Sequence, residues 1–163
     1  MKVVVLSDTH MPTKAKQLPV RLLEELKTAE LILHAGDWQS LNVYDTLSTF
    51  AEVKGVTGNV DGNDMKEKFP EQQIIEVGKY RIGLVHGHGE KKTTEKRAIE
   101  AFEDTEVDII VYGHSHIPVT RYFKKTLLFN PGSPTDKRAL PYYSFGILHL
   151  GEELKAEHIF FQH

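Results

Sequence analysis

Ile109-Ile110-Val111-Tyr112-Gly113-His114-Ser115-His116 is the stretch on which the fold of this chain turns. Four apolar residues end at a glycine, and two histidines follow, one residue apart. A short apolar run closed by a turn signal fits a strand buried on both faces. The same arrangement recurs along the chain. Val3 to Leu6 runs into Asp8-Thr9-His10, and Leu31 to Leu33 into Gly36-Asp37. Val53 to Thr57 runs into Gly58-Asn59, and Ile82 to Val85 into His86-Gly87-His88. Each apolar run therefore ends in side chains capable of binding a metal.

Helical patterns separate these runs. Residues 17–29 place Leu18, Leu22, Leu23 and Leu26 on one face, away from Glu24, Glu25 and Lys27. Residues 42–51 form a shorter pattern, with Asn42 as N-cap and Val43, Leu47 and Phe50 on one side. Residues 93–104 bring Ala98, Ile99 and Phe102 together, with Thr93 or Thr94 able to cap the start. Strands alternating with helices up to Tyr112 predict parallel βαβ units. After Pro118 the pattern changes to strand-like segments at 119–123, 127–129, 143–150 and 154–161, with no helix between them. This predicts an antiparallel continuation, as one mixed sheet or as two packed sheets. No repeat, low-complexity segment or linker interrupts the chain, so one α/β domain over residues 1–163 is expected.

Composition narrows the function. A chain of 163 residues can bury about two-thirds of its unfolded surface. Its 40% hydrophobic and 26% charged residues match globular proteins and exclude a disordered chain. A net charge of −3 argues against coating nucleic acid or an anionic membrane. With no cysteine, there is no disulfide, zinc–thiolate site or thiol nucleophile. Only four apolar residues follow Lys2 before Ser7-Asp8, too few for a signal-peptide core, and nothing approaches the ~20 of a membrane span. A cytoplasmic protein is the expectation.

In open α/β sheets, ligands bind beyond the carboxyl ends of the strands. Asp8, His10, Asp37, Asn59, His86, His114 and His116 all fall at such ends and are expected to converge. Imidazole, carboxylate and amide oxygen suit manganese, iron, zinc, cobalt or nickel better than a soft metal. Seven donors exceed one tetrahedral site and suit two divalent ions sharing a carboxylate, with Asp37 as the natural bridge. Two ions ~3.5–4 Å apart can clamp the attacking and leaving oxygens of an in-line displacement. Against two carboxylates and a hydroxide they leave roughly one net positive charge, which attracts an anionic ester.

Asp8-x-His10, Gly36-Asp37, Gly58-Asn59, His86 and Gly113-His114-x-His116, in that order, resemble the calcineurin-like metallophosphoesterase superfamily. The small size, His86-Gly87-His88 and Asn130-Pro131-Gly132-Ser133 are similar to the compact bacterial and archaeal YfcE-type phosphodiesterases. The resemblance covers essentially the whole chain. It implies a four-layer α/β-β/α sandwich of two mixed sheets flanked by helices. It further implies one divalent ion held by Asp8, His10, Asp37 and His116, and another by Asp37, Asn59, His86 and His114. Manganese comes first among the metals, before iron, zinc, nickel or cobalt. The implied reaction is attack of a metal-bridging hydroxide on a small phosphate ester, a diester before a monoester.

One position departs from the pattern. The superfamily motif continues Gly-Asn-His-Asp or Glu, whereas this chain reads Gly58-Asn59-Val60-Asp61. Valine can neither donate a proton nor hydrogen-bond a phosphate oxygen. Losing a general acid typically costs ~10²–10⁴-fold on leaving groups that need protonation. The catalytic set expected here is therefore Asn59 on the phosphate, His88 as substitute for the missing histidine, and Asp61, which has lost the histidine it would orient.

Other residues receive plainer readings. His34 reads as a core histidine, and His149, His158 and His163 as structural or solvated. Gly87 to Thr93 matches neither a Walker loop nor a dinucleotide fingerprint, so Lys91 and Lys92 read as a solvated helix entry. Asn130 to Ser133 is a turn by composition. Arg138 reads as a surface arginine within reach of a substrate phosphate, and Trp38 as a pocket wall or a packed aromatic. Two rival functions stand beside the esterase: a binding module on the same fold, as in the retromer scaffold subunit, and a nuclease. The absence of a basic, aromatic-studded stripe disfavours a long nucleic acid, and a homo-oligomer is left open.

Overall fold

Four of the five apolar runs become strands because they are covered on both sides, whereas the run from Val53 becomes part of an edge strand with Lys54 exposed. The computed structural model describes residues 1–163. In chain order its elements are β1 (Lys2–Leu6), α1 (Val20–Leu26), β2 (Leu31–His34), α2 (Leu41–Ser48), β3 (Glu52–Gly55), α3 (Asn63–Lys68) and β4 (Gln72–Val77). They continue with β5 (Tyr80–Val85), α4 (Thr94–Ala101), β6 (Ile109–Val111), β7 (Val119–Phe123), β8 (Thr126–Asn130), β9 (Tyr143–Leu150) and β10 (Leu154–Phe161).

Two five-stranded sheets result, in the orders β10-β9-β1-β2-β3 and β4-β5-β6-β8-β7. Strands β1, β2 and β3 are parallel, and β9 returns antiparallel to β1. In the second sheet β5, β6 and β8 are parallel, with β4 and β7 antiparallel at the edges. Both sheets are mixed.

Successive side chains of a strand point to opposite faces. Val3 and Val5 of β1 meet Ile82, Leu84, Val111 and Phe129 of the other sheet in a central apolar layer. Val4 and Leu6 turn outward, against Leu22 and Leu26 of α1 and Val43 and Leu47 of α2. On the far side, Ile110 and Leu128 pack on Ala98 and on Phe102 just past the end of α4. This is the expected four-layer sandwich. Each fully buried aliphatic side chain contributes ~1.5–3 kcal/mol, which is why these runs alternate in direction but not in polarity.

The helices are shorter than their patterns. Pro19 stands at the N-cap of α1, so Leu18 packs into the core from outside the helix. α2 starts at Leu41 after Ser40, one residue before the expected cap Asn42, and stops at Ser48, with Phe50 packing from beyond its end. α4 begins as expected, with the Thr93 hydroxyl accepting from the Lys96 N–H at 3.1 Å. α3 and β4 have no counterpart in the sequence reading. α3 is six residues long with only Met65 buried, too brief and polar to show a helical period. No helix is long and apolar enough to cross a membrane.

Candidate metal centre

Parallel strands that end together bring their trailing residues to one place. Asp8 and His10 come after β1, Asp37 after β2, His86 after β5, and His114 and His116 after β6. Asp8, His10 and His116 place one donor atom each within 4.8 Å of one another, and so do Asp37, His86 and His114. The two trios adjoin. Asp37 Oδ2 lies 3.2 Å from His86 Nε2 and 3.5 Å from His10 Nε2, so it faces both. Asp8 Oδ1 lies 3.5 Å from His116 Nε2, 3.7 Å from His10 Nε2 and 3.8 Å from His86 Nε2.

The orientations are fixed from behind. His86 Nδ1 donates to the Ala35 carbonyl at 2.8 Å, and His116 Nδ1 to the Asp136 carbonyl at 2.7 Å. A carbonyl can only accept, so each ring carries its proton on Nδ1 and turns the Nε2 lone pair to the centre. Asp8 spends Oδ2 on the Ser7 hydroxyl (2.7 Å) and the His114 N–H (2.9 Å), leaving Oδ1 free. Asp8 Oδ1, His10 Nε2, His86 Nε2 and His116 Nε2 are all buried and have no hydrogen-bond partner. Buried polar atoms without partners are rare and costly. Three of the four meet in the Asp8 trio and the fourth, His86 Nε2, faces Asp37 in the other, an arrangement that fits cations.

The charges agree. Burial raises Asp8 and Asp37, but the facing histidines outweigh it and hold both below the usual carboxylate range. Burial lowers His86 and His116, yet Asp37 beside the first and Asp8 beside the second raise both above the ordinary 6.5. His114 is lowered by burial and by the nearby His86.

Backbone strain is concentrated here as well. Asp8, His10, Asp37, His114 and His116 all have left-handed φ, between 43° and 70°. For an L-residue this costs ~1–2 kcal/mol, and such strain persists only where surrounding contacts over-determine it. Gly58 is glycine because its neighbour is so close: a Cβ there would run into Asp37 Oδ1.

The remaining expectations sort themselves. Asn59 is exposed on the turn after β3, and the Val60 N–H on that turn donates to Asp37 Oδ1 at 3.0 Å. The Val60 side chain is 45% exposed. Asp61, expected among the catalytic groups, is buried and fully occupied. Its Oδ2 accepts from the N–H groups of Asp37 (2.9 Å) and Gly58 (2.8 Å), and its Oδ1 from that of Gln39 (2.9 Å). It holds the backbone of the Asp37 turn. Burial lifts its carboxyl above the usual range despite those donors. His88 is exposed, its ring 5.5 Å from that of His86 and 6.4 Å from that of His114.

Arg138 is exposed, with its guanidinium 3.5 Å from the Ser115 carbonyl. Trp38 is a packed aromatic, stacked between His34 at 3.8 Å and Phe69 at 4.7 Å. His34 is the core histidine expected, kept neutral by burial, which pushes it down to about 3. His158 is structural, stacked on Phe129 and donating to the Asn130 carbonyl. Ser133, in the motif whose resemblance implies a place near the site, is hydrogen-bonded to the Asp8–His10 loop, and so is Thr135, which together with Asp136 at the His116 loop had no counterpart in the sequence reading.

A family model described as the calcineurin-like phosphoesterase superfamily domain matches residues 1–153. The chain belongs to that superfamily. A protein named "Probable metallophosphoesterase", from Methanothermobacter thermautotrophicus, is 36% identical over 96% of this chain and 91% of its own length. Among solved structures, wild-type Vps29 of Entamoeba histolytica, complexed with zinc, superposes with a TM-score of 0.77 at 27% identity, covering 99% of this chain and all of that one. A novel archaeal phosphodiesterase superposes at 0.76 over 99% of this chain and all of its own; at 24% identity it speaks to the fold alone. Membership of the superfamily supports metal-dependent hydrolysis of phosphate esters.

Proposed function

We propose that this chain is a dinuclear-metal phosphodiesterase, one domain throughout, acting on small phosphate esters with good leaving groups. The observation that carries the reading is the set of four unpartnered buried atoms, Asp8 Oδ1 and the Nε2 atoms of His10, His86 and His116. Asp8, His10 and His116 would hold one ion, and His86, His114 and Asn59 the other, with Asp37 between them. When bound, such ions supply Lewis acidity and lower the pKa of a coordinated water.

The chain's own residues do the rest. Asp8 and Asp37 stay ionised without protonation competing for them. The Nδ1 bonds of His86 and His116 keep each ring in one tautomer and orientation. Asn59 and His88 stand on the open side, where a phosphoryl group enters, and Arg138 adds a cation at the His116 side. Val60 leaves the leaving group without a proton donor at the usual position, which favours esters whose leaving group departs as an anion. Manganese is the first metal to try. Zinc, which the Vps29 relative carries, is the second.

The test is hydrolysis of nitrophenyl phosphodiester and monoester by metal-depleted protein, before and after adding manganese. Metal-stimulated diester cleavage exceeding monoester cleavage is expected. A protein that binds no divalent ion and cleaves neither ester would sink the proposal. A binding role is the second reading. It is favoured by exposed Val60 and Ile117 (45% and 51%), which flank the donors, and by the likeness to Vps29.

A further inference from the structure

The segment from the end of β8 toward β9 contains none of the seven donors, yet it bonds the Asp8, Thr9 and Gly113 carbonyls and His116 Nδ1. From it we infer that Asn130–Asp136 is the positioning element for one half of the centre, the Asp8, His10 and His116 trio, and sets how tightly that half holds its ion. This inference rests on the proposed metal centre.

The contacts fall on the strained turn between Asp8 and His10. The Ser133 hydroxyl donates to the Asp8 carbonyl at 2.8 Å, and the Thr135 hydroxyl to the Thr9 carbonyl at 2.6 Å. Both hydroxyls are buried. Asp8 and His10 are left-handed at φ 58° and 43°, so the two carbonyls they bracket have left the β1 ladder and need other donors. On the opposite side of this turn, the N–H groups of Asp8 and His10 donate to the Gly36 and Asp37 carbonyls at 3.0 and 3.1 Å. The turn is thus gripped from two sides, and one side is entirely this segment.

The same segment reaches the third donor. The Asp136 carbonyl accepts from His116 Nδ1, and the Asp136 N–H donates in turn to the Ser133 hydroxyl at 2.9 Å. Asn130, fully buried, donates through Nδ2 to the Gly113 carbonyl and the Ser115 hydroxyl, both at 3.1 Å. The segment is itself anchored in β9: Ser144 donates from its N–H to the Ser133 carbonyl at 3.0 Å and from its hydroxyl to the Pro131 carbonyl at 2.9 Å. Of the Asp37 trio, Asp37 and His86 take nothing from it, and His114 is reached only through the Asn130 bonds to its neighbours Gly113 and Ser115. Asp37 and His86 are held by Asp61, Val60 and Ala35.

Thr135→Val tests the assignment, because it removes the hydroxyl while keeping the side chain's shape, and Thr135→Ser restores it. Manganese titration of the full chain would be followed by calorimetry and by electron paramagnetic resonance. Two neighbouring manganese ions give a coupled spectrum, and a lone ion gives its own resolved hyperfine pattern. Supporting groups behind metal ligands typically change affinity ~10–100-fold. In Thr135→Val one of the two ions should weaken by that factor, and the coupled spectrum should give way to that of an isolated ion. The other ion should bind as in wild type, and Thr135→Ser should recover both.

Unchanged binding in Thr135→Val, or equal weakening of both ions, overturns the inference while leaving the metal centre standing. Wild-type protein that takes up no manganese overturns both. Should Thr135→Val fail to fold in a thermal melt, Ser133→Ala decides by the same measurements.

Discussion

The Asp8 and Asp37 trios share one composition, a carboxylate and two imidazoles, but are held by different means. Asp37 is held from close by in sequence. Val60 and Asp61, on a turn 23 and 24 residues further on, donate to its carboxylate and accept from its N–H, respectively. The Asp8 turn is held across the whole fold, by hydroxyls 125 and 126 residues away. Local support depends on a turn and a glycine. Distant support depends on both sheets being in place. The two halves of the centre should therefore respond to different perturbations, although their chemistry is the same.

The largest expected effect abolishes the distinction. Asp37 faces His10 as well as His86, so Asp37→Asn should weaken both ions and lower diester hydrolysis ~1,000-fold, since several kcal/mol of transition-state stabilisation is at stake. His116→Ala and His86→Ala should each mainly release one ion, as metal analysis after dialysis would show. Two tightly held ions and normal turnover in Asp37→Asn would remove Asp37 from between the sites.

Next comes Val60→His, which adds a proton donor on the Asp37 side only. Esters with poor leaving groups should be cleaved up to ~100-fold faster, and those with good leaving groups little changed. Equal rates across a leaving-group series would count against the missing-acid argument.

Gly58→Ala sharpens the comparison from the local side. The added methyl meets Asp37 Oδ1, and overpacking of this kind typically costs ~1–3 kcal/mol. A lower melting temperature is expected, together with roughly tenfold weaker binding of the ion beside Asp37. Because Asp37 also faces His10, the ion beside Asp8 should weaken less, and isotherms that shift equally would contradict the division.

The smallest effect is that of pH. His86 and His116 lie above 6.5 in the metal-free protein, so protons compete with ions for the same Nε2 atoms. Metal affinity should rise with pH through that raised range and level off above it. It should fall as pH drops, while Asp8 and Asp37, held low, stay ionised. Manganese titrations across this range check the sign, and affinity that increases on acidification would be inconsistent with it.

Much of this was legible in the sequence, for a physical reason. A strand covered on both faces must be apolar throughout, so Val3 to Leu6 and Ile109 to Val111 declare themselves, and the polar residues at their carboxyl ends declare the site. α3 and β4 were not legible because Asn63–Lys68 buries one side chain and Gln72–Val77 is an edge strand with mixed faces. Asp61 kept its place in the motif but not its expected partner, and its three backbone contacts have no sequence signature. Thr135, and the contact that Ser133 makes, were not legible for a deeper reason. A hydroxyl that satisfies a distant carbonyl leaves no periodicity, and its partner is known only once β8 and β9 are in place.

The grip of Ser133 and Thr135 on the Asp8 turn also sets an order of events during synthesis. Asp8 and His10 leave the ribosome more than a hundred residues before the hydroxyls that brace them. β9, which anchors those hydroxyls and pairs with β1, comes later still. A nascent chain carrying every one of the seven donors would still lack half of the centre's scaffolding. On the proposed assignment, the ion beside Asp8 would be held at full strength only once β8 and β9 are both in place.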